Sequence, residues 1–370
     1  MTIRANVQRV PVWGRVLHLL VVFGVAGFLL VGLPQAGWST PLIQQANTSN
    51  LAYQPLILSG DPAGVPADSP ANRVDPNTTT SPFAGVGSII INPPGPDQFF
   101  CSGVAISDRH ILTAGHCLDF NDDGVVDALP GEVTFFLNFG GDLTHQITAS
   151  ALDIHPDFSG FNNPALNDDL GIITLDTPLP AGVPIYPIFA DPFQFVELIV
   201  MVGYGVSGDG VTGFLPGSSN RRTKRVGANL AEAAIPDDEG SGLNEVFLFD
   251  FDGPDGTTNL FGSLTLGNDI ETTTAPGDSG GPSFVVVNGK LALFGINTFG
   301  ANTSIAAHPL FGSVAGGVVV SPYTDWITDD LGIDAKLVSA IPEPGTFILT
   351  SVGLFSVLFY YWQQRRKFAR

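Results

Sequence analysis

The chain has 370 residues, a formal net charge of −20 and only 14% charged residues, together with 44 glycines and 29 prolines. Its length is ample for a buried core, and the large excess of acidic side chains argues against nucleic acid as a partner. Short β-branched runs separated by turn residues predict a β-sandwich or β-barrel.

The first 37 residues predict an export signal. Residues 1–15 contain three arginines and no acid, and residues 16–33 are apolar apart from His18 and glycines. This pattern predicts a signal peptide cleaved near Ala36; the alternative is a permanent membrane anchor, because the run is long for a signal core. Residues 38–81, rich in Pro, Asn, Ser and Thr, predict a linker or pro-segment whose one basic cleavage site follows Arg73.

Three short motifs then follow in order, and each contains one group that acyl transfer requires. They are residues 113–117, 167–172 and 277–282, which contain His116, Asp169 and Ser279 respectively. A serine hydroxyl is a poor nucleophile at neutral pH, so an imidazole must accept its proton, and a carboxylate must hold that imidazole in the right tautomer. Because each motif alone also occurs as an ordinary turn, the prediction of a serine peptidase depends on their order and context.

Residues 119–127, directly after the histidine motif, predict a calcium-binding loop. Oxygen ligands at positions 1, 3, 5 and 9 and glycine at position 6 match the start of an EF-hand-type loop, with a backbone carbonyl at position 7. The ligands are Asp119, Asn121, Asp123, Val125 and Asp127. Position 12 is Pro130, so the usual bidentate ligand is missing and Glu132 would have to replace it. The alternative is an acidic, solvated turn.

The glycines around Ser279 predict an oxyanion hole. A tight turn lets backbone N–H groups converge where negative charge develops on the substrate oxygen, and Gly277 and Ser279 would donate them. Immediately downstream, two apolar runs flank Asn288 and Gly289. This spacing predicts a β-hairpin.

The last 29 residues predict a sorting signal. Pro342, Glu343 and Pro344 precede an uncharged stretch, residues 345–362, that is just long enough to span a bilayer, and a basic cluster follows it. The arrangement resembles the PEP-CTERM signal of Gram-negative bacteria. That resemblance implies transient anchoring in the inner membrane, processing by a signal peptidase and an exosortase-type enzyme, and a final place at the cell surface or outside the cell. A plain C-terminal anchor is the alternative.

Further segments extend the similarity around the three motifs, and the chain resembles the trypsin/chymotrypsin-like serine peptidases. These segments are residues 101–103, 111–114, 154–156, 202–205 and 323–327. The resemblance covers about residues 82–332, with 333–341 as a linker to the C-terminal segment. It implies an all-β fold of two six-stranded antiparallel barrels with a short C-terminal helix, and the hydrophobic segments at both termini lie outside it. It further implies a protein or peptide substrate, no organic cofactor and hydrolysis through an acyl-enzyme.

Cys101 and Cys117 are the only two cysteines of the chain. An even number in an exported protein predicts a disulfide, and the resemblance implies a bridge that closes the loop carrying the catalytic histidine. Two free buried thiols are the alternative.

The resemblance also indicates where the substrate binds. Thr273 falls where the family has the base of the primary specificity pocket, and Thr298, Phe299 and Gly300 fall on its substrate-pairing strand. A buried cation needs a paired charge, which Thr273 does not offer, so neutral or apolar residues are expected before the scissile bond rather than Lys or Arg. Gly300 is expected to leave the pocket open.

The competing function class is a binding or matrix protein of the cell surface that keeps the protease fold while its chemistry is secondary or lost. The presence of all three triad residues and of the oxyanion glycine favours the enzyme.

Overall fold

The computed structural model describes residues 57–160, 167–194, 196–215 and 217–340. The signal peptide and the sorting segment predicted from the sequence lie outside these residues. Within the described part of the chain, no helix is long and apolar enough to cross a membrane.

Six antiparallel strands close into a barrel in the first half of the folded body. They are β1 (Val86–Ile91), β2 (Phe99–Ala105), β3 (His110–Thr113), β4 (Val133–Leu137), β5 (His145–Ile154) and β6 (Gly171–Leu175). The hydrogen-bonded order around the barrel is β1-β2-β3-β6-β5-β4. β1 is buried along its whole length, which explains why its sequence is almost entirely apolar instead of alternating.

The second half forms a larger sheet. Its strands are β7 (Ile188–Phe189), β8 (Glu197–Gly203), β11 (Arg225–Ala231), β12 (Ala233–Pro236), β13 (Asn244–Asp250), β14 (Pro282–Val287), β15 (Lys290–Ala301), β16 (Val314–Val319) and β17 (Leu337–Val338), while β9 (Gly208–Asp209) and β10 (Gly213–Phe214) pair separately. The main order is β11-β8-β14-β15-β16-β13-β12.

The two edge strands of this second sheet, β11 and β12, are consecutive in the sequence. Glu232 alone separates β11 from β12, and it donates its N–H to the carbonyl of Leu248 on β13 at 2.8 Å. The chain therefore passes from one edge of the sheet to the other at Glu232. This sheet takes the place of the expected second barrel, and Glu232 connects its two edge strands. Among the described residues, the hydrogen-bonded strand order of this sheet is open, unlike that of the first barrel.

Two local predictions are confirmed. β14 and β15 form a hairpin in which Val287 pairs with Lys290, and Asn288 and Gly289 both adopt positive φ (51° and 74°), as a tight hairpin turn requires. The short C-terminal helix is present as a 3-10 turn at Ser321–Tyr323 followed by a π-helical turn at Trp326–Asp330. Further 3-10 turns are Pro70–Arg73, Gly115–Cys117 and Pro130–Glu132.

Residues 57–81, for which the sequence predicts a linker or pro-segment, pack against the second sheet. Arg73 is fully buried, and its Nε donates to Asp68 at 2.7 Å while its NH2 group donates to the carbonyl of Glu271 at 2.9 Å. Lys224 is likewise fully buried, with Nζ 3.3 Å from Oδ1 of Asp75. Because the side chain of Arg73 is inaccessible, the expected cleavage site after it is not available in the folded protein.

Candidate active site

His116 and Asp169 meet because of the register between β3 and β6. Thr113 at the end of β3 pairs with Gly171 at the start of β6. The segment that follows β3 and the segment that precedes β6 therefore lie at the same end of the barrel. Nδ1 of His116 is 2.8 Å from Oδ2 of Asp169, and the backbone N–H of His116 donates to Oδ1 at 2.8 Å. Asp169 is 2% exposed. With its proton on Nδ1, the ring presents Nε2 as the basic nitrogen.

A disulfide joins Cys101 on β2 to Cys117 in the turn that carries His116. Both cysteines are buried. The predicted bridge is confirmed, and it ties the histidine turn to the neighbouring strand.

Ser279 lies on a turn that packs against the end of β3. Its carbonyl accepts the N–H of Ser102 at 2.8 Å. Gly280 follows with φ of +77°, and a methyl group added there would lie 2.0 Å from Oγ1 of Thr113 and 2.9 Å from the backbone N of Ala114. Only glycine fits so close an approach. The turn that carries Ser279 therefore lies directly beside residues 113–114, which lead into His116.

The turn before Ser279 is shaped by the buried carboxylate of Asp278. Its two oxygens accept the N–H groups of Gly205 at 2.7 Å and of Ala275 at 2.9 Å, and burial raises the pKa of Asp278 to about 7. Gly277 has φ of +95°. Among the described residues, no acceptor takes a hydrogen bond from the N–H of Gly277 or of Ser279. An oxyanion hole formed by these two N–H groups stays a prediction.

Comparison with known proteins points to the same chemistry. The Trypsin family model matches residues 76–215. Brachyurin of Leptuca pugilator is 26% identical over 241 residues, which cover 64% of this chain and 90% of brachyurin. The proclotting enzyme of Tachypleus tridentatus is 26% identical over 298 residues, which cover 73% of this chain and 72% of that enzyme. The protein is a serine endopeptidase.

A third relative and one solved structure also match the chain. A venom serine protease of Polistes dominula is 26% identical to the peptidase over 149 residues, covering 37% of this chain and half of the venom protease. A structure of HL collagenase covers 68% of the peptidase with a TM-score of 0.45 and 20% identity. The matched family segment includes His116 and Asp169 and ends before Ser279.

Other groups closely surround Thr273 and Gly300, the residues expected at the specificity pocket. Thr273 is fully buried, and its Oγ1 has no hydrogen-bond partner among the described residues. A methyl group added to Gly300 would lie 2.3 Å from Nε2 of His308, so the ring of His308 lies directly against this glycine. The shape of the pocket at Gly300 stays a prediction. Burial lowers the pKa of His308 to about 4, so the ring is neutral at physiological pH. Sequence reasoning missed His308, because nothing local distinguishes it within its loop.

The predicted substrate-pairing residues lie on β15. Thr298 is the extra residue of a bulge between Asn297 and Phe299, and Gly300 pairs with Ala315 on β16. On the opposite side, pairing with β14 ends at Ile296. Among the described residues, no strand pairs with residues 297–301 on that side, and the pairing of an extended peptide there stays a prediction.

The predicted calcium loop folds as a turn closed by its own amides. The carboxylate of Asp119 accepts the N–H groups of Asn121 and Gly124 at 3.2 and 2.8 Å, and that of Asp127 accepts the N–H of Phe120 at 2.7 Å. In the described ranges, the groups of three or more acidic, His or Cys side chains with ligand atoms within 4.8 Å of one another do not include this loop. Calcium binding there stays a prediction.

Proposed function

We propose that the peptidase is an exported endopeptidase that uses Ser279 as nucleophile, His116 as general base and Asp169 as the group that orients the histidine. The observation that carries the proposal is the double contact of Asp169 with both the ring and the backbone N–H of His116, at 2.8 Å each. Such a contact holds one tautomer of the imidazole and stabilises its protonated form.

These three roles imply the following reaction. Oγ of Ser279 attacks the substrate carbonyl while Nε2 of His116 takes its proton, and the N–H groups of Gly277 and Ser279 stabilise the oxyanion. The imidazolium then gives its proton to the leaving amine, which leaves an acyl-enzyme. Water attacks the ester with the same base and releases the acid. The chemistry needs no organic cofactor.

Substrate preference is for neutral or apolar residues before the scissile bond. Thr273 carries no charge, and the neutral ring of His308 against Gly300 adds bulk without a negative charge to pair with Lys or Arg. A mixed peptide library tests this preference, and a profile dominated by Arg would contradict it.

Export is proposed from the two ends of the chain. Residues 1–37 form the signal peptide, residues 82–332 the catalytic domain, and residues 342–370, after the linker 333–341, the sorting segment. Signal peptidase and an exosortase-type enzyme are the processing partners. The similarity to a venom serine protease supports an exported protein.

Calcium binding by residues 119–127 belongs to the same proposal. The three ligand carboxylates of this loop repel one another unless a cation neutralises them, and the loop begins two residues after Cys117. Calcium should raise the melting temperature and Asp123→Ala should reduce that shift, because ligand binding to the folded state stabilises it by mass action. If calcium shifts the melting temperature equally in the variant and the unmutated protein, the loop is only an acidic turn that does not bind calcium.

Replacement of the nucleophile tests the function directly. Ser279→Ala should lower kcat by about 10⁶-fold and abolish labelling by a fluorophosphonate, while circular dichroism stays unchanged. Ser150→Ala, an exposed serine on β5, is the matched control and should retain both properties. Undiminished hydrolysis in Ser279→Ala would refute the assignment. Absence of cleavage by the unmutated protein across the library would favour the alternative, a binding or matrix protein.

A further inference from the structure

Four carboxylates converge beside the segment that carries Asp169. One oxygen from each of Asp168, Asp238, Glu239 and Glu245 lies within 4.8 Å of the others. Asp168 and Glu245 are buried and the other two are exposed, so the group opens to solvent on one side. Asp168 precedes β6, whereas the other three come from the β12–β13 connection and the start of β13. The cluster therefore joins two distant parts of the chain.

The cluster lacks a strong counter-charge. Among the described residues, its one ion pair is between Oδ1 of Asp168 and Nδ1 of His155 at 3.2 Å. Like charges at this separation oppose one another unless a cation neutralises them.

Two buried oxygens at the cluster have no donor. Glu245 is 6% exposed, and its Oε2 has no hydrogen-bond partner in the described part of the chain. Asn167 is 7% exposed; its Nδ2 donates to Oδ1 of Asp238 at 2.6 Å, while its own Oδ1 lacks a partner within the described ranges. Buried polar atoms are normally satisfied, so these two oxygens indicate a missing ligand.

We propose that a calcium ion binds at this cluster, held by the side-chain oxygens of Asn167, Asp168, Asp238, Glu239 and Glu245. Calcium takes six to eight oxygen ligands at about 2.3–2.6 Å, so ligands on opposite sides of the ion are about 4.8 Å apart. The carboxylate oxygens already lie within that spread. Five side chains, with one bidentate carboxylate or with water, complete the shell. Zinc and copper prefer imidazole or thiolate ligands, and this donor set contains only oxygen.

The ion would brace the catalytic aspartate. Asp168 has φ of 60°, a conformation that few non-glycine residues adopt, and its backbone N–H donates to the hydroxyl of Tyr323 at 3.1 Å. A cation on its carboxylate would tie this residue, and with it the adjacent Asp169, to the β12–β13 connection. Binding itself does not depend on the peptidase chemistry, so a metal readout tests the site even if the proposed triad is wrong.

Terbium, a luminescent substitute for calcium, distinguishes this site from the loop of residues 119–127. The ring of His155, which contacts Asp168, lies 5.0 Å from the ring of Trp326 and 4.9 Å from that of Tyr323. Tb³⁺ in the cluster should therefore emit when these aromatic rings are excited, and Ca²⁺ should displace it. The assay uses the purified protein after treatment with a chelator.

Five proteins are compared in this assay: the unmutated one, Asp238→Asn, Glu245→Gln, Asp123→Ala and Asp97→Asn. The two cluster variants should bind Tb³⁺ at least about tenfold more weakly, because each loses a charged ligand. Asp123→Ala, in the predicted loop, and Asp97→Asn, an exposed residue between β1 and β2, should retain the unmutated affinity.

Several results would overturn the proposal. They are the absence of Ca²⁺-displaceable emission in the unmutated protein, unchanged affinity in Asp238→Asn, and emission lost in Asp123→Ala but kept in the cluster variants. Displacement by Zn²⁺ and not by Ca²⁺ would refute calcium as the ion. If Glu245→Gln does not fold, Asp238→Asn decides, because its side chain is exposed.

Discussion

Replacement of Asp169 by Asn is the most informative change in the proposed triad. The carboxylate uses one oxygen for the backbone N–H of His116 and the other for Nδ1, both at 2.8 Å. An asparagine of the same shape has only one oxygen. If that oxygen keeps the backbone contact, the amide NH₂ faces Nδ1, which must then be the unprotonated nitrogen. Nε2 consequently carries the proton and cannot accept one from Ser279.

The expected loss of kcat follows from this exchange of tautomers. The fold should persist, because the substitution changes neither the volume of this buried side chain nor its contact with the backbone. Loss of the correct tautomer costs about 10⁴-fold in kcat, which corresponds to about 5.4 kcal/mol of transition-state stabilisation. Substrate binding should change far less, because the substrate does not contact this carboxylate.

The assay measures kcat and KM separately on a fluorogenic peptide with a neutral residue before the scissile bond, with thermal melting as a check on folding. Asp176→Asn is the matched control: an exposed aspartate just after β6 that loses the same charge. The reasoning fails if a folded Asp169→Asn keeps kcat within about tenfold of the unmutated enzyme, or if Asp176→Asn shows the same loss.

Three further predictions concern stability and processing. Cys117→Ala removes the disulfide and should lower the free energy of unfolding by about 3 kcal/mol, measured by urea denaturation; equal stability of the oxidised and reduced unmutated protein would contradict this. Burial, aided by the nearby charge of Asp252, raises the pKa of Glu271 to about 9 from an ordinary 4.5. The folded protein therefore keeps a proton that the unfolded chain releases, so stability is full below pH 4.5 and declines up to about pH 9. Glu271→Gln should reduce that decline by about 1.4 kcal/mol per pH unit. If the free energy of unfolding depends on pH in the same way in the variant and the unmutated protein, the raised pKa of Glu271 is refuted. Intact-mass measurement of the exported protein should show both hydrophobic ends removed, with the second cut near residues 342–344; a product that retains Arg370 would indicate a plain membrane anchor.

Features that depend on neighbouring residues could be predicted from the sequence. The β14–β15 hairpin follows from turn chemistry, because Asn288 and Gly289 tolerate the positive φ that a two-residue loop needs. The disulfide follows from an even pair of cysteines in a chain whose N-terminal sequence predicts export. The all-β class follows from short apolar runs between turn residues, a signal that each strand carries by itself.

Features that join distant parts of the chain were decided by the tertiary structure. His308 reaches Gly300 only because its loop folds back over β15, and Arg73 becomes buried only because residues 57–81 pack against the second sheet. The carboxylates of Asp168 and Glu245 meet only in the folded chain, where the segment before β6 lies beside the start of β13. Nothing in the residues flanking either acid indicates the other, because strand register and packing set such contacts. The sequence by itself therefore determined the types of groups present and the turns, whereas their convergence required the fold.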